Sequence, residues 1–420
     1  MSAKVPLQPT VEARLAEIGR VDVAVGIPSF NNAGTIGHVV RAATAGLHKY
    51  FPDQRAVIIN SDGGSSDGTP EVAALADFSA PATLLVSHQL NPVHKILTPY
   101  HGLPGKGSAF RTIFALAERL QAKACAVVDS DLRSITPEWL HLLLGPVLLQ
   151  DFDFVAPMYL RHKYDGTITN SLVYPLTRAL YGKEVRQPIG GDFGFSGRLA
   201  AHYLEKPVWE TNVARFGIDV WMTTTALADG FRVCQAFLGA KLHDAKDPGA
   251  DLADMLVQVV SSVFDLMATY QQAWSKVQRA EDIPLFGFPH GVGLEPVPVD
   301  VDRMLDVFYQ GARDLAEVWQ AALDEDSFDE VEALAQQPRE TFAFPDRVWV
   351  RVVYDFAVSY RRHVFPPEQL LSSLVPLYLG RTAAFVRRTA HADAEEVESI
   401  IVALAEEYVE QKGRLLRRWS

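Results

Sequence analysis

The stretch Ala124-Cys125-Ala126-Val127-Val128-Asp129-Ser130-Asp131 decides how this chain is read. An unbroken run of small and β-branched apolar residues is the pattern of a central strand covered on both faces. Asp129 and Asp131 follow at once. They stand at the carboxyl end of that strand, the edge at which open α/β sheets bind ligands. Hard divalent cations prefer carboxylate oxygens, and Mg²⁺ or Mn²⁺ commonly bridges such groups to substrate phosphates. The plainer alternative is an Asp-rich turn leading into the helix that starts near Thr136-Pro137.

The flanking sequence repeats one rhythm. Val21 to Ile27 reads as a strand ended by Pro28 and the turn-prone pair Asn31-Asn32, and a helix follows from near Thr35 to Lys49 with Ile36, Val39, Val40 and Ala43 at helical spacing. Ala56 to Asn60 is a second strand, after which Thr69-Pro70 supplies an N-cap and a first-turn proline. Thr83 to Val86 reads as a third strand, Lys106 to Leu120 as a helix, and Phe231 to Leu238 as a later strand. Strand and helix in alternation specify an α/β fold built on a mostly parallel, Rossmann-like sheet. Beyond about residue 250 long helical stretches take over, at roughly 250–279, 301–324, 345–363, 366–378 and 393–417, with Ile283 to Pro298 as an irregular Gly- and Pro-rich connection. The expected organisation is an α/β domain over 1–250 and a helical region over 251–420. The stripe Phe308, Leu315, Trp319 and Leu323 reads as helix packing.

Composition narrows the classes. At 420 residues the chain exceeds what one core usually organises, which agrees with two domains. The net charge of −12 argues against nucleic acid as a general partner. No apolar run approaches the roughly 20 residues of a membrane span. Met1-Ser2-Ala3-Lys4 lacks an apolar signal core, so a cytoplasmic location is expected, and Cys125 and Cys234 lie in apolar runs as buried free thiols suited to a reducing compartment.

Other segments bring chemistry to loops that follow strands. Pro28-Ser29-Phe30-Asn31 closes the first strand, and Ser61-Asp62-Gly63-Gly64 begins the loop after the second, where Asp62 could hydrogen-bond a base or ribose. Gly105-Lys106-Gly107 opens a helix, where free N–H groups and a lysine favour an anion such as pyrophosphate. It is not a P-loop, because the earlier glycine and the Lys-Ser/Thr pair are in the wrong relation. Lys241-Leu242-His243-Asp244 follows the last strand, and a neutral His243 beside a carboxylate-bound cation suits a metal ligand.

In this order, Pro-x-Phe-Asn, Asp-Gly-x-Ser-x-Asp-Gly-Thr, Gly-Lys-Gly and Asp-Ser-Asp resemble the motifs of the GT-A nucleotide-sugar glycosyltransferases. Gln187-Pro188-Ile189-Gly190-Gly191-Asp192 narrows the resemblance to the glucosyl-3-phosphoglycerate synthase group and its glucosylglycerate and mannosylglycerate relatives, over roughly 21–250. The resemblance implies a GT-A fold with a nucleotide-diphosphate sugar as donor (UDP-glucose, GDP-mannose or GDP-glucose), a small carboxylate acceptor such as glycerate or 3-phosphoglycerate, and Mg²⁺ or Mn²⁺. It implies that Pro28, Ser29, Phe30, Asn31 and Asp62 hold the nucleoside, and that Gly105 and Lys106 approach the diphosphate. Asp129 would contact sugar or ribose, Asp131 and His243 would ligate the cation, and Gly190, Gly191 and Asp192 would meet the transferred sugar. Thr169 and Asn170 would hold the acceptor, with Lys241 also on the substrate side. One departure stands out: the phosphoglycerate enzymes carry Arg two positions before that Thr, and this chain has Thr167. Arg161, His162 or Lys163 could supply the missing charge, or the acceptor could be plain glycerate.

The resemblance implies retention of anomeric configuration. Asp219, in Gly217-Ile218-Asp219, would instead give inversion if it deprotonated the acceptor in line. Two other readings stay open, a sugar-phosphate nucleotidyltransferase and a non-catalytic sugar-nucleotide binding module. Apolar surface on the helical region is the expected seat of a homodimer contact.

Overall fold

The structure is a computed structural model that describes residues 5, 7–76, 91–100, 103–242, 253–291 and 294–419. It resolves into two compact units. The first comprises Met1–Leu160, Ile189–Asp244 and Ile283–Gly293, and the second Arg161–Pro188, Ala245–Asp282 and Leu294–Ser420. A single cut near residue 250 does not describe this division, because 161–188 groups with the C-terminal helices and 283–293 groups with the sheet.

Among the described residues the first unit is built on eight strands: β1 (Val23–Ser29), β2 (Ala56–Asp62), β3 (Val93–Pro99), β4 (Ala124–Val127), β5 (Phe154–Leu160), β6 (Phe193–Ser196), β7 (Val233–Ala240) and β8 (Leu285–Phe286). Their order across the sheet is β3-β2-β1-β4-β6-β5-β7-β8. Every neighbouring pair is parallel except those made by β6, which runs antiparallel to both β4 and β5. The α/β class and the mostly parallel, Rossmann-like sheet expected from the sequence are therefore what the protein has. All four residues of β4 are buried, as its apolar run requires. On one face, Val39, Val40 and Leu47 of the helix Ile36–Tyr50 and Leu140, Leu143 and Leu144 of the helix Pro137–Gln150 pack with Val25, Ile27 and Val155 of the strands. On the other, Phe114 of the helix Lys106–Arg119 meets Phe195, Tyr203 and Trp209.

The expected strand Thr83–Val86 lies outside the described residues. Beside β2 runs β3, which starts with Val93 opposite Ala56. Its sequence, Val-His-Lys-Ile-Leu-Thr-Pro, buries only Ile96 and Thr98. An edge strand needs little apolar surface, so it carries a weak signal.

The second unit is helical. The region expected as one helix over 301–324 is two, Val301–Asp314 and Ala316–Ala322, and a further helix, Glu325–Ala335, starts after Asp324, whose side chain accepts from Ser327 N. The helix Pro367–Arg388 outlasts its expected end and runs through Pro376. It crosses Val301–Asp314 closely, with Gly311 against Pro376 and Gly380 against the Phe308 ring, where any side chain would overlap. Phe308 and Trp319 are buried, in keeping with packing. Segment 161–188 joins this unit because Tyr174 packs with Val397, Ile401 and Ala405 of the helix Ala394–Trp419, and Arg178 and Arg186 pair with Glu406 and Glu398 of the same helix. Among the described residues no helix is long and apolar enough to cross a membrane. Cys125 and Cys234 are free thiols, both buried.

Candidate active site

The antiparallel β6 is what assembles the site. Because it runs against β4, with Phe193 opposite Val127, the residues just before it lie beside the residues just after β4. Asp192 thus meets Asp129, and the Asp129 backbone N–H donates to Asp192 Oδ1 at 2.7 Å. The parallel strand β7 delivers Lys241 to the same edge. Its Nζ lies 2.8 Å from Asp129 Oδ2, 2.8 Å from Asp192 Oδ2 and 2.8 Å from the Gly190 carbonyl. Tyr159, near the end of β5, donates its hydroxyl to Asp192 Oδ2. Lys106 Nζ closes the other side, 2.7 Å from Asp129 Oδ1 and 3.3 Å from the Asp219 carboxylate. Five charged groups form a line: Asp219, Lys106, Asp129, Lys241, Asp192.

Glycines make this density of charge sterically feasible. Gly191 has φ +88°, and a Cβ on it would overlap Asp129 Oδ2 and Lys241 Nζ. The left-handed backbone and the close approach both demand glycine. Gly105 and Gly107 serve a different purpose from the one the sequence suggests. Their N–H groups are taken by the Tyr100 hydroxyl (3.0 Å) and the Arg215 carbonyl (3.2 Å), and a Cβ on either would strike the backbone of 213–215. They let that backbone lie against the helix start, four residues before Asp219, rather than leaving open amides for an anion. Lys106 supplies the charge there.

Electrostatics follow from this geometry. Burial works to raise the Asp129 carboxyl, but Lys106 and Lys241 on its two oxygens overcome it and hold the group far below the usual carboxylate range. Burial likewise works against the Lys106 ammonium, and Asp129 and Asp219 overcome it and raise the lysine. Asp219 moves the other way from Asp129. Burial raises it, Lys106 opposes, and the nearby Asp129 charge adds to the rise. Its Oδ1 is buried and makes no well-formed hydrogen bond. A carboxyl held with raised proton affinity beside a lysine can accept a proton from a hydroxyl.

The loops after β1 and β2 are stitched together and to the acidic turn. Asp62 accepts from Ser29 Oγ (2.9 Å), Ser65 Oγ (2.7 Å), Gly64 N (2.9 Å) and Ser65 N (2.8 Å). With four donors on two oxygens it builds the loop, and a base or ribose would have to be met by its neighbours. Asn31 exchanges bonds with Ser65 Oγ and Ser66 N, and Ser130 Oγ donates to Asn32 Oδ1 at 2.7 Å. Pro28 is buried within β1, while Phe30 is 60% exposed with its ring beside Gly63. Asp131 is half-buried in the turn that follows β4.

Asp192 is wholly buried and holds Lys241, Tyr159 and the Asp129 N–H, which makes it an anchor for Asp129. Thr169 and Asn170 belong to the second unit, on the π-helical turn Thr169–Val173. The Ser171 carbonyl in that turn accepts from Trp349 Nε1 (2.8 Å) and the Tyr408 hydroxyl (3.2 Å), and Asn170 Oδ1 accepts from Arg186 (3.0 Å). Thr167 is hydrogen-bonded to the Tyr378 hydroxyl. His243 lies outside the described residues. Among the described residues no cluster of three or more His, Cys, Asp or Glu is placed to hold a metal ion. Sequence reasoning missed Tyr159; the only trace of it is an aromatic near the end of an apolar strand-like run.

No family model matches the chain, and no curated protein matches it. Among solved structures it is similar to glucosyl-3-phosphoglycerate synthase from Mycobacterium tuberculosis. The complex with Mn²⁺, uridine diphosphate and glucosyl-3-phosphoglycerate is 19% identical, with 63% of this chain and 88% of that chain covered and a TM-score of 0.43. The complex with phosphoglyceric acid is 21% identical over 69% of this chain and 90% of that one, at a TM-score of 0.45. The complex with Mn²⁺, UDP-glucose and glycerol 3-phosphate is 19% identical over 62% and 82%, at 0.42.

Proposed function

We propose that this protein is a GT-A-type glycosyltransferase that moves a hexose from a nucleotide-diphosphate sugar to a small acidic acceptor, with a divalent cation. The observation that carries the reading is the line of carboxylates and lysines at the carboxyl edge of β4, joined through Ser130 to the loop expected to hold the nucleoside. Cleaving a glycosyl–diphosphate bond leaves negative charge on the departing diphosphate and partial positive charge on the sugar. Lys106 suits the first and Asp129 the second.

The donor set fits a hard cation. Mg²⁺ typically binds through one or two protein carboxylates, substrate phosphates and waters, and Asp131 is the second carboxylate of the turn that follows β4. Asp131, with His243, would hold Mg²⁺ or Mn²⁺, which would neutralise the diphosphate. Asp129 is positioned by its lysines and by Asp192, and therefore presents a fixed negative charge toward the sugar. Gly190 and Gly191 bring the backbone close to the same place.

The stereochemical outcome expected from the resemblance is retention, with no side chain serving as a covalent nucleophile. Asp219 favours a second reading. Its raised proton affinity and its place beside Lys106 suit a general base, and an in-line attack assisted by it would invert the anomeric centre.

Incubation with UDP- and GDP-sugars, Mn²⁺, and glycerate or 3-phosphoglycerate tests the reading. Release of nucleoside diphosphate with a new glycoside supports it. Pyrophosphate turnover would point to a nucleotidyltransferase, and tight binding without turnover to a binding module. The anomer of the product, read by NMR, decides between retention and Asp219-assisted inversion.

A further inference from the structure

β7 breaks its pleat just before it delivers Lys241 to the site. The register with β5 runs evenly to Met158 opposite Phe237, then skips a residue so that Tyr159 faces Gly239. Gly239 has φ +80°, with nothing within 4 Å of where a Cβ would stand. Glycine is therefore there for its backbone and not for space. Bulges are uncommon between parallel strands, and they gather beside active sites because one extra residue re-aims the side chains that follow. Lys241 is the second residue after Gly239.

Tyr159 sits at that point and touches two members of the charge line. Its hydroxyl donates to Asp192 Oδ2, and its ring lies 5.2 Å below Lys241 Nζ. The ring is itself held by Trp139, at a centroid distance of 5.5 Å, and is 4% exposed. A buried ammonium over an aromatic face gains a directional attraction that a hydrocarbon wall would not give.

We propose that Tyr159 and the bulge at Gly239 form a positioning device that fixes Lys241 between Asp129 and Asp192, and so sets the Asp129 carboxylate in its working orientation. The inference rests on the glycosyl-transfer reading for its consequence and on unit-internal geometry for its cause. Tyr159 is a positioning residue, since it acts on the reacting groups through Asp192 and Lys241.

The test compares Tyr159→Phe and Gly239→Ala with Tyr203→Phe. Tyr203 is a buried tyrosine of the same unit whose hydroxyl donates to the Met222 carbonyl at 2.8 Å, away from the charge line. Wild-type transfer is measured first, with the donor and acceptor that give turnover. In Tyr159→Phe, kcat is expected to fall about tenfold or more, the scale of one hydrogen bond to a charged group, with donor KM within about twofold. Gly239→Ala should show the same split between kcat and KM. Tyr203→Phe should lose melting temperature and keep kcat. The ε-CH₂ signal of Lys241, assigned through Lys241→Met, should move in Tyr159→Phe and Gly239→Ala but not in Tyr203→Phe. Wild-type kcat in Tyr159→Phe, or an unmoved Lys241 signal, overturns the device while leaving the transferase reading intact. Absence of any transfer by the wild type overturns the reading, and with it the consequence of the device for turnover.

Discussion

Each unit holds a lysine that is at least partly withdrawn from water, and the two have opposite fates. Lys106 in the first unit lies against Asp129 and Asp219, and these carboxylates raise it despite its burial. Lys412 in the second unit is 5% exposed and donates to the carbonyls of Ala179 (2.8 Å) and Val277 (2.8 Å), with the Trp274 ring 5.9 Å away. Among the described residues no carboxylate pairs with it, and burial lowers it to about 8. Carbonyl dipoles satisfy the protons of an ammonium without balancing its charge, whereas carboxylates do both. Lys412 caps the end of the helix Tyr174–Tyr181, which is a task of architecture. Lys106 stands in a line of alternating charges between Asp129 and Asp219, which is a task of chemistry.

The largest effect that would sharpen this contrast is at Asp131. Asp131→Ala should lower kcat by about 10³-fold or more while shifting the melting temperature by no more than about 2 °C, since a half-exposed turn carboxylate adds little to packing. Wild-type turnover in that variant with metal present would reject the ligand role. Next is Gly191→Ala, which puts a methyl group against Asp129 and Lys241 at a positive φ. A loss of about 2–4 kcal/mol in urea unfolding is expected, by strain and overpacking together.

Asp219 and Asp129 then set opposite pH dependences. The raised Asp219 pKa means that the folded state holds its proton more tightly than the unfolded chain. Its contribution to stability is therefore greatest at low pH and declines as pH rises from the unfolded value of about 3.9 toward the folded one. Asp129, depressed by its lysines, contributes stability above about pH 3.9 that is lost as pH falls toward its folded value. If Asp219 is the base, the acid limb of kcat/KM lies above the ordinary aspartate value, and Asp219→Asn removes that limb along with most activity. The smallest effect is at Lys412. Its folded pKa of about 8 lies below the unfolded value of about 10.4. Unfolding then takes up protons between these limits, so stability should rise with pH from about 8 to about 10.4. Lys412→Met should erase that rise and leave kcat unchanged.

The sequence carried some of this openly and some not at all. The strand before Asp129 was legible because both its faces are covered, so its apolar run is unbroken. The acidic turn was legible because charge directly after an apolar run is uncommon without a purpose, and Lys106 because it stands between two glycines where a helix opens. Three features were not. The direction of β6 leaves no local mark, since Phe-Gly-Phe-Ser would read alike either way, yet it alone brings Asp192 to Asp129. The bulge at Gly239 looks like any glycine in a strand. Gly105-Lys106-Gly107 reads as an anion cradle, while its glycines answer to the backbone of residues 213–215, over a hundred positions later. Local pattern reports burial well, and it reports long-range approach poorly.

The central claim is that the carboxyl edge of β4 binds a nucleoside diphosphate together with a divalent cation held through Asp131. Isothermal titration calorimetry of UDP and GDP, with and without Mn²⁺, on the wild type and Asp131→Ala tests it most directly. Binding of one nucleotide by the wild type that depends on Mn²⁺ and disappears in Asp131→Ala is the predicted result. Equal affinity in the presence of EDTA, or in Asp131→Ala, would contradict it.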